Sequence, residues 1–232
     1  MTAIRIEGLG HVYPDGTRAL EGIDLEIPAG QPIAIVGSNG SGKSTLVRHL
    51  DGLLRPTEGR VLLDGADIAG RRVASLAATV GIVFQDPDRQ IFAGRVSTEV
   101  AFGARNVGLL GAALESAVGR ALAAVGLDAE ADSNPYDLGP ARRKLLTVAA
   151  VLAMGTPVVV LDEPTMGQDG HGIDRIRRIV EGLAGEGRTV VGISHNLQFV
   201  ADAFERVVVL AAGRVVLDGP PSRVLAAREP DR

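Results

Sequence analysis

The sequence contains no cysteine, so it has no disulfide framework and no thiol chemistry. It also lacks an excess of positive charge: the net charge is −4 and the pI is about 5.6, which gives no support for nucleic-acid binding as the main task. Residues 1–7 carry early charges and lack the apolar core of a secretory segment. With 46% hydrophobic and 22% charged residues, the composition is that of a globular protein.

A long uninterrupted apolar run is also missing. The longest run extends from Leu145 to Leu161, whereas a membrane-spanning helix needs about 20 apolar residues. Gly155 and Pro157 interrupt it, so residues up to Met154 predict a helix and Val158–Leu161 predicts a strand buried on both faces. We therefore expect no transmembrane segment, and we expect any membrane role to depend on a partner.

One stretch has the spacing of a phosphate-binding loop, G-x-x-x-x-G-K-[ST]. It consists of Gly37, Ser38, Asn39, Gly40, Ser41, Gly42, Lys43, Ser44 and Thr45. An apolar run at 32–36 predicts a buried strand before it, and apolar residues from Leu46 to Leu53 recur at helical spacing after it. The alternative to a phosphate-binding loop is a chance glycine-rich turn, which would need neither a strand before it nor a helix after it. We expect the loop amides and the helix N-terminus to surround phosphate oxygens, with Lys43 reaching the β- and γ-phosphates and the Ser44 hydroxyl binding Mg²⁺.

The order of the predicted elements indicates an α/β protein with a mostly parallel sheet covered by helices. Buried strands are predicted at 79–84, 158–161 and 189–193. Two stretches, 4–7 and 23–27, alternate as strands of an antiparallel β subdomain do, and 11–16 is predicted as a turn. A hairpin at 207–217, a short helix at 221–227 and a polar tail at 228–232 complete the chain.

The helical pattern between the strands suggests an insertion. We predict a single domain over 1–232, with a core at about 1–85 and 156–232 and an inserted helical subdomain at about 86–155. In such a sheet the ligand lies at the carboxyl ends of the strands.

Polar side chains follow these predicted strands. Asp162 fits a metal-holding carboxylate, and Glu163, one residue further on, is placed to polarise a water for attack on the γ-phosphorus. His195 would contact the γ-phosphate and hold Glu163, and Gln85 would contact Mg²⁺ or the attacking water. The alternatives are an acidic turn, a histidine that caps the next helix, and a surface glutamine.

These motifs, in this order, resemble the nucleotide-binding subunit of an ABC transporter over about residues 3–225. The matching segments are 37–45 (Walker A), Gln85 (Q-loop), 161–165 (Walker B and catalytic glutamate), 167–169 (D-loop) and His195 (switch histidine). The resemblance implies a P-loop ATPase fold, ATP and Mg²⁺ as cofactors, and a peripheral position on the cytoplasmic face of the cell membrane. Tyr13 lies where the family stacks an aromatic ring on adenine, although a packed loop tyrosine is the alternative.

Within the family, residues 84–92 resemble the segment after the Q-loop of energy-coupling factor ATPases, which power vitamin and transition-metal uptake. Residues 98–103 and 106–109 continue the similarity. The resemblance implies an importer whose integral membrane coupling subunit docks on Gln85–Phe92, with Ile91 and Phe92 as apolar contacts. The alternative for these two residues is packing inside the helical subdomain. A soluble ABC ATPase acting as an assembly or regulatory switch, and a small-molecule kinase, are the alternatives for function.

The family signature L-S-G-G-Q is altered here to Leu138-Gly139-Pro140-Ala141-Arg142. Pro140 donates no N–H and Ala141 restricts the backbone, while Arg142 adds a positive charge that would still meet an anion. In the family, two subunits enclose ATP head to tail, and each site takes the signature from the other chain. We therefore expect a weakened signature, and a partner ATPase of a different sequence whose intact signature completes the site of this chain.

Overall fold

The computed structural model describes residues 2–226, so the predicted tail at 228–232 and residue 227 of the last predicted helix lie outside the described residues. The strands are β1 (Ile4–Val12), β2 (Arg18–Ile27), β3 (Pro32–Val36), β4 (Glu58–Leu63), β5 (Ala66–Asp67), β6 (Val80–Val83), β7 (Val158–Asp162), β8 (Thr189–Ile193), β9 (Arg206–Ala211) and β10 (Arg214–Gly219). The helices are α1 (Lys43–Leu50), α2 (Val73–Leu76), α3 (Val96–Asn106), α4 (Gly111–Val125), α5 (Pro140–Met154), α6 (Gly170–Gly185), α7 (Leu197–Ala203) and α8 (Pro221–Ala226).

The strands form two sheets, which confirms the predicted α/β class with its mostly parallel sheet and antiparallel β subdomain. The main sheet has the order β10-β9-β3-β8-β7-β6, and all its neighbours pair in parallel except the β9–β10 hairpin. The second sheet, in the order β2-β1-β4-β5, is antiparallel. Since β3, β7 and β8 are adjacent and parallel, the segments that follow them leave the same edge of the sheet.

The core is divided by the main sheet because successive side chains of a strand point to opposite faces. Ile33 and Ile35 pack against the antiparallel sheet and α1, whereas Ala34 and Val36 pack with the helices on the other face. Burial on both faces explains why β3, β7 and β8 do not alternate and, apart from Asp162 and Thr189, contain no polar side chain. Helices α3, α4 and α5 lie between β6 and β7 in the chain, where the sequence predicts an insertion.

Several predicted bounds differ from the structure. The first strand extends to Val12, so the turn predicted at 11–16 begins only after it. The left-handed Gly8, with φ of 56°, interrupts the alternation that the sequence-based prediction relied on. Helix α1 ends at Leu50 rather than continuing to Leu53, because Gly52 adopts φ of 75° and turns the chain away; Leu53 is exposed.

Candidate functional site

The loop between β3 and α1 requires glycine at two positions. A Cβ on Gly37 would lie 2.3 Å from the carbonyl oxygen of Leu210, and a Cβ on Gly42 would lie 2.6 Å from that of Ala19. Gly42 also has φ of 102°, which a larger residue rarely adopts. It is the N-cap of α1 and supplies no capping side chain. The first N–H groups of a helix have no acceptor within it, so this end of α1 suits an anion.

The Lys43 side chain is buried and folds back over the loop. Its Nζ donates to the carbonyl oxygens of Gly37 and Ser38, each at 2.9 Å. The residues of the loop therefore make different contacts. Gly37 and Ser38 hold the ammonium, whereas the stretch from Asn39 to Thr45 lines a cavity.

Asp162 is the last residue of β7 and is only 4% exposed. Its Oδ1 has no hydrogen-bond partner within residues 2–226. Burial raises the pKa of this carboxyl, and a hydrogen bond from the Ser44 hydroxyl acts in the opposite direction. A buried carboxylate with an unsatisfied oxygen beside a hydroxyl fits Mg²⁺, which proteins bind through one or two carboxylates together with substrate phosphates.

Glu163 has φ of 49°, a left-handed backbone conformation that is uncommon for a residue with a side chain. Its N–H donates to the carbonyl of Ile193 on the neighbouring strand, at 2.9 Å. Its carboxylate accepts a hydrogen bond from the His195 main-chain N–H at 3.2 Å, and Oε1 lies 3.3 Å from His195 Nε2. Burial raises the pKa of Glu163, while the His195 contacts lower it. A carboxylate with a raised pKa is a better general base than an exposed glutamate.

Gln85 follows β6 and is exposed. Its Nε2 lies 4.0 Å from the sulfur of Met166, which belongs to the segment after Glu163. The backbone around it is fixed by the next glutamine, because Gln90 Oε1 accepts the N–H of Phe84 at 3.1 Å.

A cavity of about 370 Å³ brings most of the sequence-predicted site residues together. Its lining includes Tyr13, the loop residues Asn39–Thr45, Gln85, Asp162, Glu163 and His195. A larger cavity, about 660 Å³, lies between α4 and α6 and contains none of the strand-end residues. Chemistry rather than size therefore identifies the candidate site.

Tyr13 lies at the rim of the cavity, with features of both sequence interpretations. Its ring packs edge-on against His11, with centroids 4.7 Å apart, and its hydroxyl lies 3.0 Å from Thr45 Oγ1. His49 lies behind this pair, with its Nε2 3.2 Å from His11 Nδ1. The tyrosine is thus fixed to α1 and remains partly exposed to the cavity.

Sequence reasoning missed Lys144, on α5, which is 2% exposed. Its Nζ donates to three main-chain carbonyls, those of Phe84 (2.7 Å), Gln85 (3.0 Å) and Asp162 (2.9 Å). Burial lowers the pKa of Lys144 to about 8, so the ammonium still predominates at pH 7. A charged residue within the apolar face of a helix was the available signal.

The altered signature segment lies outside the cavity, since none of residues 138–142 lines it. Gly139 is the N-cap of α5 without a capping side chain, and Pro140 is its first residue. Arg142 forms an ion pair with Glu130 and donates to the carbonyl of Gly126. The positive charge of Arg142 is thus ion-paired within its own chain, and its contact with an anion at a partner's site stays a prediction.

Ile91 and Phe92 are interpreted from the sequence either as docking contacts or as residues packed inside the helical subdomain, and the structure places one of them inside and one outside. Ile91 is buried and its carbonyl accepts the Tyr136 hydroxyl at 3.0 Å, so its expected role as an exposed apolar contact is wrong. Phe92 is 60% exposed and packs edge-on against the exposed Phe102, with centroids 4.6 Å apart. The buried Glu99 accepts the Phe92 N–H at 3.0 Å and holds this segment in place.

Within residues 2–226, no helix combines the length and the apolar character needed to cross a bilayer. The profile of the ABC transporter family matches residues 20–166. The energy-coupling factor transporter ATP-binding protein EcfA2 of Symbiobacterium thermophilum is 43% identical, over 97% of this chain and 81% of its own length. A putative ABC transporter ATP-binding protein of Methanosarcina acetivorans is 42% identical over 97% of this chain, which spans only 37% of that longer protein.

A solved structure shares the fold. CbiO1 from Clostridium perfringens, described as part of the ABC transporter complex CbiONQ, superposes with a TM-score of 0.86 at 38% identity. The match covers 97% of this chain and 91% of that one.

Proposed function

Because this chain belongs to the ABC transporter family, we propose that it is the ATP-binding and ATP-hydrolysing subunit of a membrane importer of the energy-coupling factor type. The observation that carries the proposal is the convergence of Lys43, Asp162 and the strained Glu163 on one cavity at the carboxyl edge of the main sheet. The similarity to energy-coupling factor ATP-binding proteins favours an importer subunit over a soluble assembly switch.

In this proposal the loop amides and Lys43 bind the phosphates, and Tyr13 stacks on the adenine. Ser44, Asp162 and Gln85 would hold Mg²⁺, which would neutralise charge on the phosphate oxygens when bound.

Glu163 accepts a proton from the attacking water at its carboxylate. Its carboxylate lies against His195, which orients it, whereas the carboxylate of Asp162 lies beside the Ser44 hydroxyl. The two adjacent acids therefore have separate tasks.

The proposal includes a second ATPase subunit in a head-to-tail dimer. Residues 138–142 do not line the cavity of their own chain, so any signature contact to this nucleotide has to come from another subunit. Since this chain has an altered signature, the partner that we propose is a different chain with an intact one. The site that uses residues 138–142 would then turn over slowly.

We place the membrane subunit against the exposed pair Phe92 and Phe102, next to the Gln85 segment. The chain would then work on the cytoplasmic face of the cell membrane. Movement of the Gln85 segment on nucleotide binding would pass to the membrane subunit through this surface.

The test is purification of the chain from its host with its membrane partner, followed by measurement of Mg²⁺-dependent ATP binding and hydrolysis. Phe92→Ala should reduce co-purification with an integral membrane protein and leave ATP binding intact. Val216→Ala, on β10, removes an apolar residue of similar exposure and should change neither. Absence of adenine-nucleotide binding at every Mg²⁺ concentration would refute the proposal.

A further inference from the structure

One ammonium group connects the helical insertion to both strand ends of the candidate metal site. Lys144 lies on α5, whereas its three acceptors, Phe84, Gln85 and Asp162, belong to the segments that end β6 and β7. The three distances, 2.7, 3.0 and 2.9 Å, use all three N–H donors of the ammonium.

This arrangement strongly constrains the main chain. Hydrogen bonds from an ionised donor are about twice as strong as neutral ones. Lys144 is almost completely buried, so water is poorly placed to replace it at these carbonyls. The pairing of β6 with β7 ends at Val83 and Leu161, and just beyond it the Lys144 ammonium joins the Gln85 and Asp162 backbones directly.

The preceding residue makes a parallel connection. Arg143 Nε lies 2.9 Å from a carboxylate oxygen of Asp88, three residues after Gln85. Its Nη1 donates to the Leu138 carbonyl at 2.9 Å. Two consecutive cations of α5 thus hold the Gln85 segment, but only Lys144 also reaches Asp162.

We propose that Lys144 is a positioning residue for the Mg²⁺ site: it sets the spacing between the side chains of Gln85 and Asp162 through their main-chain carbonyls. It contacts neither nucleotide nor metal itself. The inference rests on the proposed function, because it assumes that these two residues hold the ion.

The test compares binding of a fluorescent ATP analogue with Mg²⁺ and with EDTA. Lys144→Met keeps most of the length of the side chain but removes its donors. It should weaken the Mg²⁺-dependent affinity about 10- to 100-fold, as loss of an outer-sphere partner does, and leave the Mg²⁺-free affinity unchanged. Lys144→Gln retains two N–H donors without charge and should lie between Lys144→Met and the unmodified chain.

Thr147→Val is the matched control, because Thr147 is buried on the same helix and its hydroxyl donates only to the Lys144 carbonyl. It should retain the ratio of the two affinities, and thermal unfolding should show that all variants are folded. An unchanged ratio in Lys144→Met, or an equal loss in Thr147→Val, would overturn the positioning role. If the unmodified chain binds no nucleotide with or without Mg²⁺, it is the proposed function that fails.

Discussion

The strand-end residues and the signature segment differ in how their polar groups are satisfied. At the strand ends, Glu163 is strained and Asp162 has a buried oxygen without a partner among the described residues. In the signature segment Arg142 is paired, and Pro140 has removed an N–H from the start of α5. Unsatisfied and strained groups persist where a ligand compensates them, so this difference supports the proposal that the chain binds nucleotide at its own site and offers a weakened signature to a partner.

The largest effect should come from Glu163→Gln, which removes the proposed base and keeps the size of the side chain. Hydrolysis by the complex should fall by about 10²- to 10⁴-fold, the usual contribution of general acid–base catalysis. ATP binding should be retained, because Lys43 and the loop are untouched. Phosphate release and nucleotide binding measured on the same preparation check both statements, and full turnover in the variant would show that the base lies elsewhere.

A third carboxylate, that of Asp51, is buried outside the candidate site, so it shows what burial does to a carboxyl group that has no proposed function. Asp51 is 7% exposed, and burial raises its pKa to about 6, although it lies outside the nucleotide cavity. Its folded pKa exceeds the unfolded value of 3.8, so the folded state binds more protons and loses stability as pH rises from about 4 to 6. Asp51→Asn keeps an acceptor for the Leu53 N–H and should stabilise the fold at pH 7.5 by at most about 3 kcal/mol.

Urea unfolding at pH 7.5 and pH 4 checks this sign, since the gain should be much smaller at the lower pH, where Asp51 is protonated in the folded state and partly protonated in the unfolded state. Nucleotide binding should be unchanged. A loss of Mg²⁺-dependent binding in Asp51→Asn would mean that burial at this position serves the site as well.

The residues of the candidate nucleotide site can be predicted from the sequence more completely than the residues that hold them in position. The loop and the strand-end residues are local motifs, and the parallel sheet brings them together. The contacts of Lys144 depend on how α5 packs against two strands that are distant in sequence, so no local pattern contains them. Composition likewise did not separate the buried Ile91 from the exposed Phe92, because the direction of each side chain is set by a short turn and by Glu99.

The smallest effect should come from repairing the signature segment. Changing Gly139→Ser, Pro140→Gly, Ala141→Gly and Arg142→Gln together restores the backbone donor and a capping hydroxyl at the start of α5. If the proposed weakness lies in these residues, hydrolysis by the chain alone at high concentration should rise about tenfold, roughly the value of one charge-assisted hydrogen bond. Arg142→Gln alone leaves Pro140 in place and should stay at the original rate, because it removes a partly exposed ion pair with Glu130 and an exposed hydrogen bond to the Gly126 carbonyl. Brisk, cooperative hydrolysis by the unmodified chain alone would show that residues 138–142 already work as a signature. The proposal of a partner with a different sequence would then be wrong.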